Sequence, residues 1–210
     1  MAGQFKSQSR TLMRNIGLGR PVAWKALVTH VAVLGIFGTF LPWLKGVEFM
    51  DPALPTIYAC LGPLFAAPAV VQLLRDGESG WPAVWGKIAA STIYGEFMTL
   101  AMLLLGIATV LAFHRQAFFF LPDPIILGEA VLLGLGLTLA LTAMAAWITL
   151  QFSGRLAMVA LRILFIALFA LFLLRSWWMP AIIRPGTIVS FVTAGLFLLL
   201  VNRRRPLHSA

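Results

Sequence analysis

The sequence predicts an all-α membrane protein: a polytopic six-transmembrane-helix bundle preceded by an N-terminal interfacial amphipathic helix, with both termini cytoplasmic. Three observations predict it. Of the 210 residues 60% are apolar and only 11% charged, with a mean hydropathy of +0.94, whereas a soluble domain is near half apolar and about a quarter charged. The apolar residues gather into six runs that suit a bilayer core of about 30 Å, which takes about 20 residues as a helix. The charges fall between those runs. With 16 Lys and Arg and 7 Asp and Glu, the chain cannot coat a water-soluble surface, which excludes a soluble enzyme and a disordered chain.

Residues 1–22 come first. They carry Lys6, Arg10, Arg14 and Arg20 with no central apolar run, so they do not read as a signal peptide. Wound as a helix, Phe5, Leu12, Met13 and Ile16 lie close to one face and Lys6, Arg10 and Arg14 on another, a pattern suited to a helix in the membrane interface. The alternative is a basic tail that only enforces topology. Gly17 and Gly19 punctuate its end and Pro21 starts the next element.

The spans are expected at 23–43, 54–74, 88–113, 125–151, 156–175 and 186–202, forming one transmembrane domain, 23–202, followed by a basic tail, 203–210. The sixth is short and would cross with little tilt. All connections are short, so no extramembrane domain is expected, and no internal repeat is apparent. In the second span Pro63 and Pro68 each remove a backbone donor and kink the helix. The freed carbonyls either line a conduit or pack against neighbours. Gly62 with Ala66, and Gly136 with Ala140, are small-residue pairs that permit close helix contact. Phe165, Phe169 and Phe172 form a stripe on the fifth span suited to lipid or a partner helix. The segment 175–185, interrupted by Pro180, reads as an anchored loop, and Trp43, Trp177 and Trp178 suit an aromatic belt on the outer side.

Orientation follows from the cations. With the N-terminus inside, Lys6, Arg10, Arg14, Arg20, Lys25, Arg75, Lys87, Arg155, Arg162, Arg203, Arg204 and Arg205 lie on the inner side. Lys45, Arg115, Arg175 and Arg184 lie outside, a split of 12 against 4 that accounts for all 16. The net charge of +9 is therefore a topology signal and not a nucleic-acid signal. The basic inner side also suits anionic lipid, and the expected location is a bacterial plasma (inner) membrane.

Charged groups inside a span are costly and usually face the bundle interior or water. Glu96 lies about 13 Å into the third span, counted from Lys87, and Arg162 about 10 Å into the fifth, counted from Arg155, at 1.5 Å per residue. His30 sits at similar depth in the first. An ion pair between Glu96 and Arg162 would relieve much of the desolvation each suffers alone. Against this, Arg162 can snorkel to the inner headgroups and His30 can be a neutral imidazole bonded to a neighbouring helix. Glu96 has the stronger functional claim, because Thr92, Gly95 and Thr99 share its helix face. Such a polar stripe faces protein or a water-lined path, not lipid.

The residues for familiar chemistry are missing. Cys60 is the only cysteine, so an intrachain disulfide is impossible. His30, His114 and His208 are far apart, Ser91 and Ser190 are isolated, and no HExxH, GxSxG or Walker A pattern occurs. No cofactor, metal or enzymatic activity is expected.

The connection between spans two and three is the most patterned part of the chain, reading Arg75-Asp76-Gly77-Glu78-Ser79-Gly80-Trp81-Pro82-Ala83-Val84-Trp85-Gly86-Lys87-Ile88. Together with the basic N-terminal segment and the six spans, it resembles the type-two permease superfamily of ATP-binding-cassette transporters. In that family an acidic residue and a glycine follow span two and a Gly-Lys opens span three. The matching positions are Glu78, Gly80, Gly86 and Lys87. The connection is shorter than the family's usual one. The resemblance implies coupling of an ATPase through residues 75–87, a separate nucleotide-binding ATPase subunit, and a homo- or heterodimeric permease partner. The expected function is thus a permease subunit of an ATP-driven exporter, with Glu96 and its stripe near the pathway. The alternative is a non-catalytic structural or assembly subunit of a larger membrane complex.

Overall fold

Inside a bilayer no water is present to satisfy backbone groups, so an apolar chain must satisfy them internally. The computed structural model is accordingly helical, with no strand among the described residues. The structure describes residues 24–51, 53–75, 81–120, 123–152 and 179–202, together with Leu156, Val159, Arg162, Ile163 and Ile166. The expected interfacial helix, most of the expected fifth span with its phenylalanine stripe, Trp177 and Trp178, and the basic tail lie outside the described residues.

The first span is α1 (Trp24–Gly35), a π-helical turn (Ile36–Phe40) and α2 (Leu41–Lys45), continued by a 3-10 turn (Gly46–Met50). The second is split into α3 (Ala53–Ala59) and α4 (Gly62–Arg75). The third is α5 (Trp81–Phe113), followed by a 3-10 turn (Arg115–Phe120); the fourth is α6 (Pro124–Gln151); the last described helix is α7 (Met179–Asn202). Five stretches among the described residues are long and apolar enough to cross a membrane: His30–Met50, Thr56–Leu74, Ala83–Phe113, Pro124–Gln151 and Arg184–Asn202.

Two boundaries differ from the sequence expectation, each for a reason of proline chemistry. The third helix begins at Trp81 and not at 88, because Pro82 falls in its first turn, where a missing N–H costs nothing. Gly86 and Lys87 therefore lie within the helix. The last helix begins at Met179, with Pro180 in its first turn, and continues through Pro185. The segment expected to be an anchored loop is helical from Met179 onward.

The π turn in the first span has a local cause. Leu41 N–H reaches back to the Ile36 carbonyl, and Pro42 has no N–H to give. The Phe37 and Gly38 carbonyls thus lose the donors an α-helix would supply. Two side chains replace them: Tyr58 Oη donates to Phe37 O at 2.6 Å and Thr109 Oγ1 to Gly38 O at 3.4 Å. The first span is thereby fastened to α3 and α5 where its own ladder fails. At its far end Gly46 takes a left-handed φ of +57°, with the His114 ring packed where a side chain would stand and His114 Nε2 3.0 Å from Trp43 O.

The core lies in two parts. One packs Ala67, Val70 and Val71 of α4 with Val84 and Ile88 of α5, Ala145 and Ala146 of α6, and Val201 of α7. The other packs Tyr58 of α3 with Phe49, Met50, Ala117 and, from α5, Met102, Leu103 and Val110. Helices α6 and α7 lie along each other at close range: a methyl on Gly136 would lie 2.2 Å from Ser190 Oγ. Near the start of α6, Arg184 Nε donates to Glu129 Oε1 at 2.7 Å. The Arg184 side chain is 78% exposed, so the pair registers the helix ends more than it stabilises them.

Tyr58→Phe tests the repair of the first span. Removing the hydroxyl leaves the Phe37 carbonyl bare, and the expected loss is about 1 kcal/mol. It should be read as a lowered midpoint of thermal unfolding in mild detergent.

Candidate functional site: a polar layer at the break in the second span

The break between α3 and α4 begins with Pro63. Without an N–H at that position, the carbonyl one turn earlier, that of Ala59, has no helical donor. Cys60 N–H instead bonds Thr56 O (3.2 Å) and Ile57 O (3.1 Å), and Leu61 N–H bonds Tyr58 O at 3.0 Å. Two glycines on the neighbouring helices accept the exposed backbone. A methyl on Gly134 of α6 would lie 2.0 Å from Ala59 O, and one on Gly95 of α5 would lie 2.6 Å from Gly62 O. The break is seated where its neighbours carry no side chain.

Three side-chain oxygens converge on Gly62 at the start of α4. Measured from where a Cβ would stand on Gly62, Thr138 Oγ1 is 2.3 Å away, Glu96 Oε1 3.0 Å and Thr99 Oγ1 3.2 Å. Thr138 and the Glu96 carboxyl thus meet across this layer, with Cys60 two residues before Gly62 on the second span. On α5 this layer falls between Ile88, in one core cluster, and Met102, in the other.

The hydroxyls in the layer are not alike. Thr92 donates to Ile88 O at 2.9 Å, Thr138 to Gly134 O at 2.8 Å and Thr142 to Thr138 O at 2.6 Å, the usual way a threonine satisfies itself on its own helix. Thr99, 1% exposed, makes no such bond. Glu96 Oε1 and Ser91 Oγ are likewise buried without a hydrogen-bond partner. Leaving a buried polar atom bare costs about 1–3 kcal/mol, so the layer holds unspent hydrogen-bonding capacity.

Of the residues singled out from sequence, Gly95, Glu96 and Thr99 come together here, and Thr92 lies one turn away on the same helix, bonded to Ile88 O. Arg162 does not join them. It is exposed, and the expected ion pair with Glu96 is not formed: among the described residues the ion pairs are Lys45–Glu48 and Arg184–Glu129. Equal depth in the membrane did not bring equal direction around the bundle. His30 bonds the Tyr94 hydroxyl, and Tyr94 meets Phe65 edge-on. Tyr94 and Glu96, two residues apart, leave α5 on different faces, so His30 serves the packing of the first span and not the Glu96 layer.

Gly86 is half-buried and Lys87 only 9% exposed, both within α5. Glu78 and Gly80 lie outside the described residues. Sequence reasoning missed Thr138 and Gly134. The signal was there, in Gly134, Thr138 and Thr142 spaced one turn apart on the fourth span, but it was overshadowed by the neighbouring Gly136 and Ala140 pair.

Chemically, the arrangement offers a carboxyl and hydroxyls with hydrogen-bonding capacity left over. Among the described residues no group of three or more His, Cys, Asp or Glu side chains is placed to bind a metal. Five helices long and apolar enough to cross a bilayer are compatible with an integral membrane protein. Compared with protein-family models, with curated proteins and with solved structures, the chain has no match.

Gly62→Ala probes the convergence. The added methyl overpacks the layer, with an expected cost of about 1–3 kcal/mol. Thr138→Ala removes the atom it strikes, so the double variant should recover part of that loss, a coupling of about 0.5–3 kcal/mol by double-mutant cycle. Gly128→Ala, which meets nothing within 4 Å and lies in α6, should not lower the unfolding midpoint.

Proposed function

We propose that this chain is a membrane-embedded permease subunit of an ATP-driven exporter, working with a separate nucleotide-binding subunit and a second permease copy or relative in a bacterial plasma membrane. The observation that carries the transport reading is the break in the second span beside the half-buried Glu96, whose Oε1 is buried. A span interrupted between a 7-residue and a 14-residue helix and a half-buried carboxyl with a bare, buried oxygen both cost stability in a bilayer. A bundle that only holds others together gains nothing from either, whereas a pathway needs backbone and polar side chains that can exchange partners. Discontinuous helices beside intramembrane carboxyls are a recurrent way of building such pathways.

The ATP-driven part rests on the resemblance of the 75–88 connection to type-two permeases. With Gly86 and Lys87 inside a helix, docking falls to Asp76 and Glu78, in a cytoplasmic connection if the cation asymmetry sets the topology as expected.

The test is isolation of the tagged full-length chain from its own membranes in mild detergent. A nucleotide-binding subunit is expected to co-purify in stoichiometric amount and to be lost from the Asp76→Asn/Glu78→Gln variant. Glu96→Gln is expected to retain that partner while abolishing transport in reconstituted vesicles. Isolation with redox or pigment-bearing subunits and no ATPase would replace this reading with that of a structural subunit.

A further inference from the structure

We propose that Glu96 is a reversible proton-binding site whose occupancy closes the break in the second span. The argument begins with room. A single methyl on Gly62 would lie 2.3 Å from Thr138 Oγ1, and one on Gly95 would lie 2.6 Å from Gly62 O. A layer too tight for a methyl does not take an organic ligand. A dehydrated metal cation takes six or more oxygen ligands or keeps its own waters, and the layer brings three side-chain oxygens together. A proton needs no room.

The hydrogen-bond inventory leads to the same ligand. The Thr138 hydroxyl has one proton, and it is given to Gly134 O at 2.8 Å. What Thr138 offers Glu96 is therefore a lone pair. The contact between Thr138 and the Glu96 carboxyl becomes a hydrogen bond when Glu96 supplies the proton. Thr99 Oγ1, in a residue 1% exposed, and Glu96 Oε1, both buried and without a partner, lie 3.2 and 3.0 Å from one point, the Cβ position of Gly62. Thr99 can donate to the carboxyl oxygen that does not carry the proton.

No cation among the described residues neutralises the group. From the second span Cys60 faces it. From α6 the facing group is Thr138, which is not titratable, and Glu129, farther along the same helix, is paired with Arg184. On α5 itself Tyr94 is bonded to His30, and Lys87 stands more than two turns away. Arg162 is exposed. When the proton leaves, the carboxyl O–H bond breaks, its electron pair stays on the carboxylate and the proton passes to a water molecule. The layer is then left with a buried anion and no counter-ion, an arrangement that favours opening the break to water. The proton thus links the charge of Glu96 to the seating of Gly62.

The test uses the full-length protein in lipid nanodiscs and does not require an ATPase partner, so it stands or falls separately from the exporter reading. Infrared difference spectra over a series of pH steps report the protonated-carboxyl stretch. Alkylation of Cys60 by a membrane-permeant maleimide, normalised at each pH to the rate in the denatured chain, reports opening of the break.

A carboxyl band that Glu96→Gln lacks is expected. As that band disappears with rising pH, normalised Cys60 alkylation should increase about tenfold, a coupling of ~1.4 kcal/mol, while Glu96→Gln stays slow throughout. Thr99→Val, which removes one hydrogen-bonding neighbour and should leave the fold intact, is expected to shift the band. This variant decides the question if Glu96→Gln fails to fold. The proposal is overturned if no band depends on Glu96 or Thr99 while Cys60 is protected. It is equally overturned if alkylation does not follow the band, or if sodium at fixed pH displaces the band and marks a metal-cation site.

Discussion

Proline in a membrane span creates a debt that lipid cannot settle. Each one withdraws an N–H from the helix ladder, and the carbonyl it would have served must find another donor inside the protein or remain bare. Pro68 and Pro185 lie within continuous helices, whereas Pro42 and Pro63 stand where the ladder departs from α-helix, and these two are handled differently. In the first span, Pro42 and the π turn release the Phe37 and Gly38 carbonyls, and Tyr58 and Thr109 take them. The helix continues, fastened to its neighbours by the repair. In the second, Pro63 releases the Ala59 carbonyl, no side-chain donor replaces the lost one, and the helix stops and restarts.

What surrounds the second break follows from that difference. Glycines 95 and 134 let the interrupted backbone sit directly on α5 and α6, which brings Thr99, Glu96 and Thr138 to Gly62. The threonines on these helices otherwise turn their hydroxyls back to their own carbonyls, as Thr92, Thr138 and Thr142 do. Thr99 is buried beside the carboxyl and does not. A bundle selected only for stability would replace Thr99 by valine at no loss of volume. Its hydroxyl is explained by the carboxyl next to it and by nothing in its own helix.

The fold class was legible because its signals are summed over many residues. Hydropathy located the second and fourth spans closely and the first, third and last with an end displaced by about two turns. Of the two prolines expected to kink the second span, Pro63 stands at its interruption while the helix runs on through Pro68. Boundaries erred where a proline was read as a breaker but served as a first-turn residue, as at Pro82 and Pro180. The stripe on α5 was readable because Thr92, Gly95, Glu96 and Thr99 share one helix face by spacing alone. The partners of that stripe were not, because spacing along one helix gives depth and face but not which neighbour lies opposite. Glu96 and Arg162 matched in depth and failed in direction, whereas Thr138 matched in both and carries too common a side chain to stand out.

The two core clusters give the break its mechanical setting. Tyr58 of α3 packs with Phe49, Met102 and Val110, while Ala67, Val70 and Val71 of α4 pack with Ile88, Ala145 and Val201. The halves of the second span thus belong to different apolar bodies, and α5 runs unbroken through both. Close-packed clusters resist deformation, so displacement of one half against the other concentrates at Cys60 and Leu61, the two residues outside either helix. Gly62 is the next residue, and the oxygens of Glu96, Thr99 and Thr138 stand around it. Movement at the break therefore changes the surroundings of Glu96 before it changes anything else in the bundle, and a change of charge on Glu96 acts first on the break.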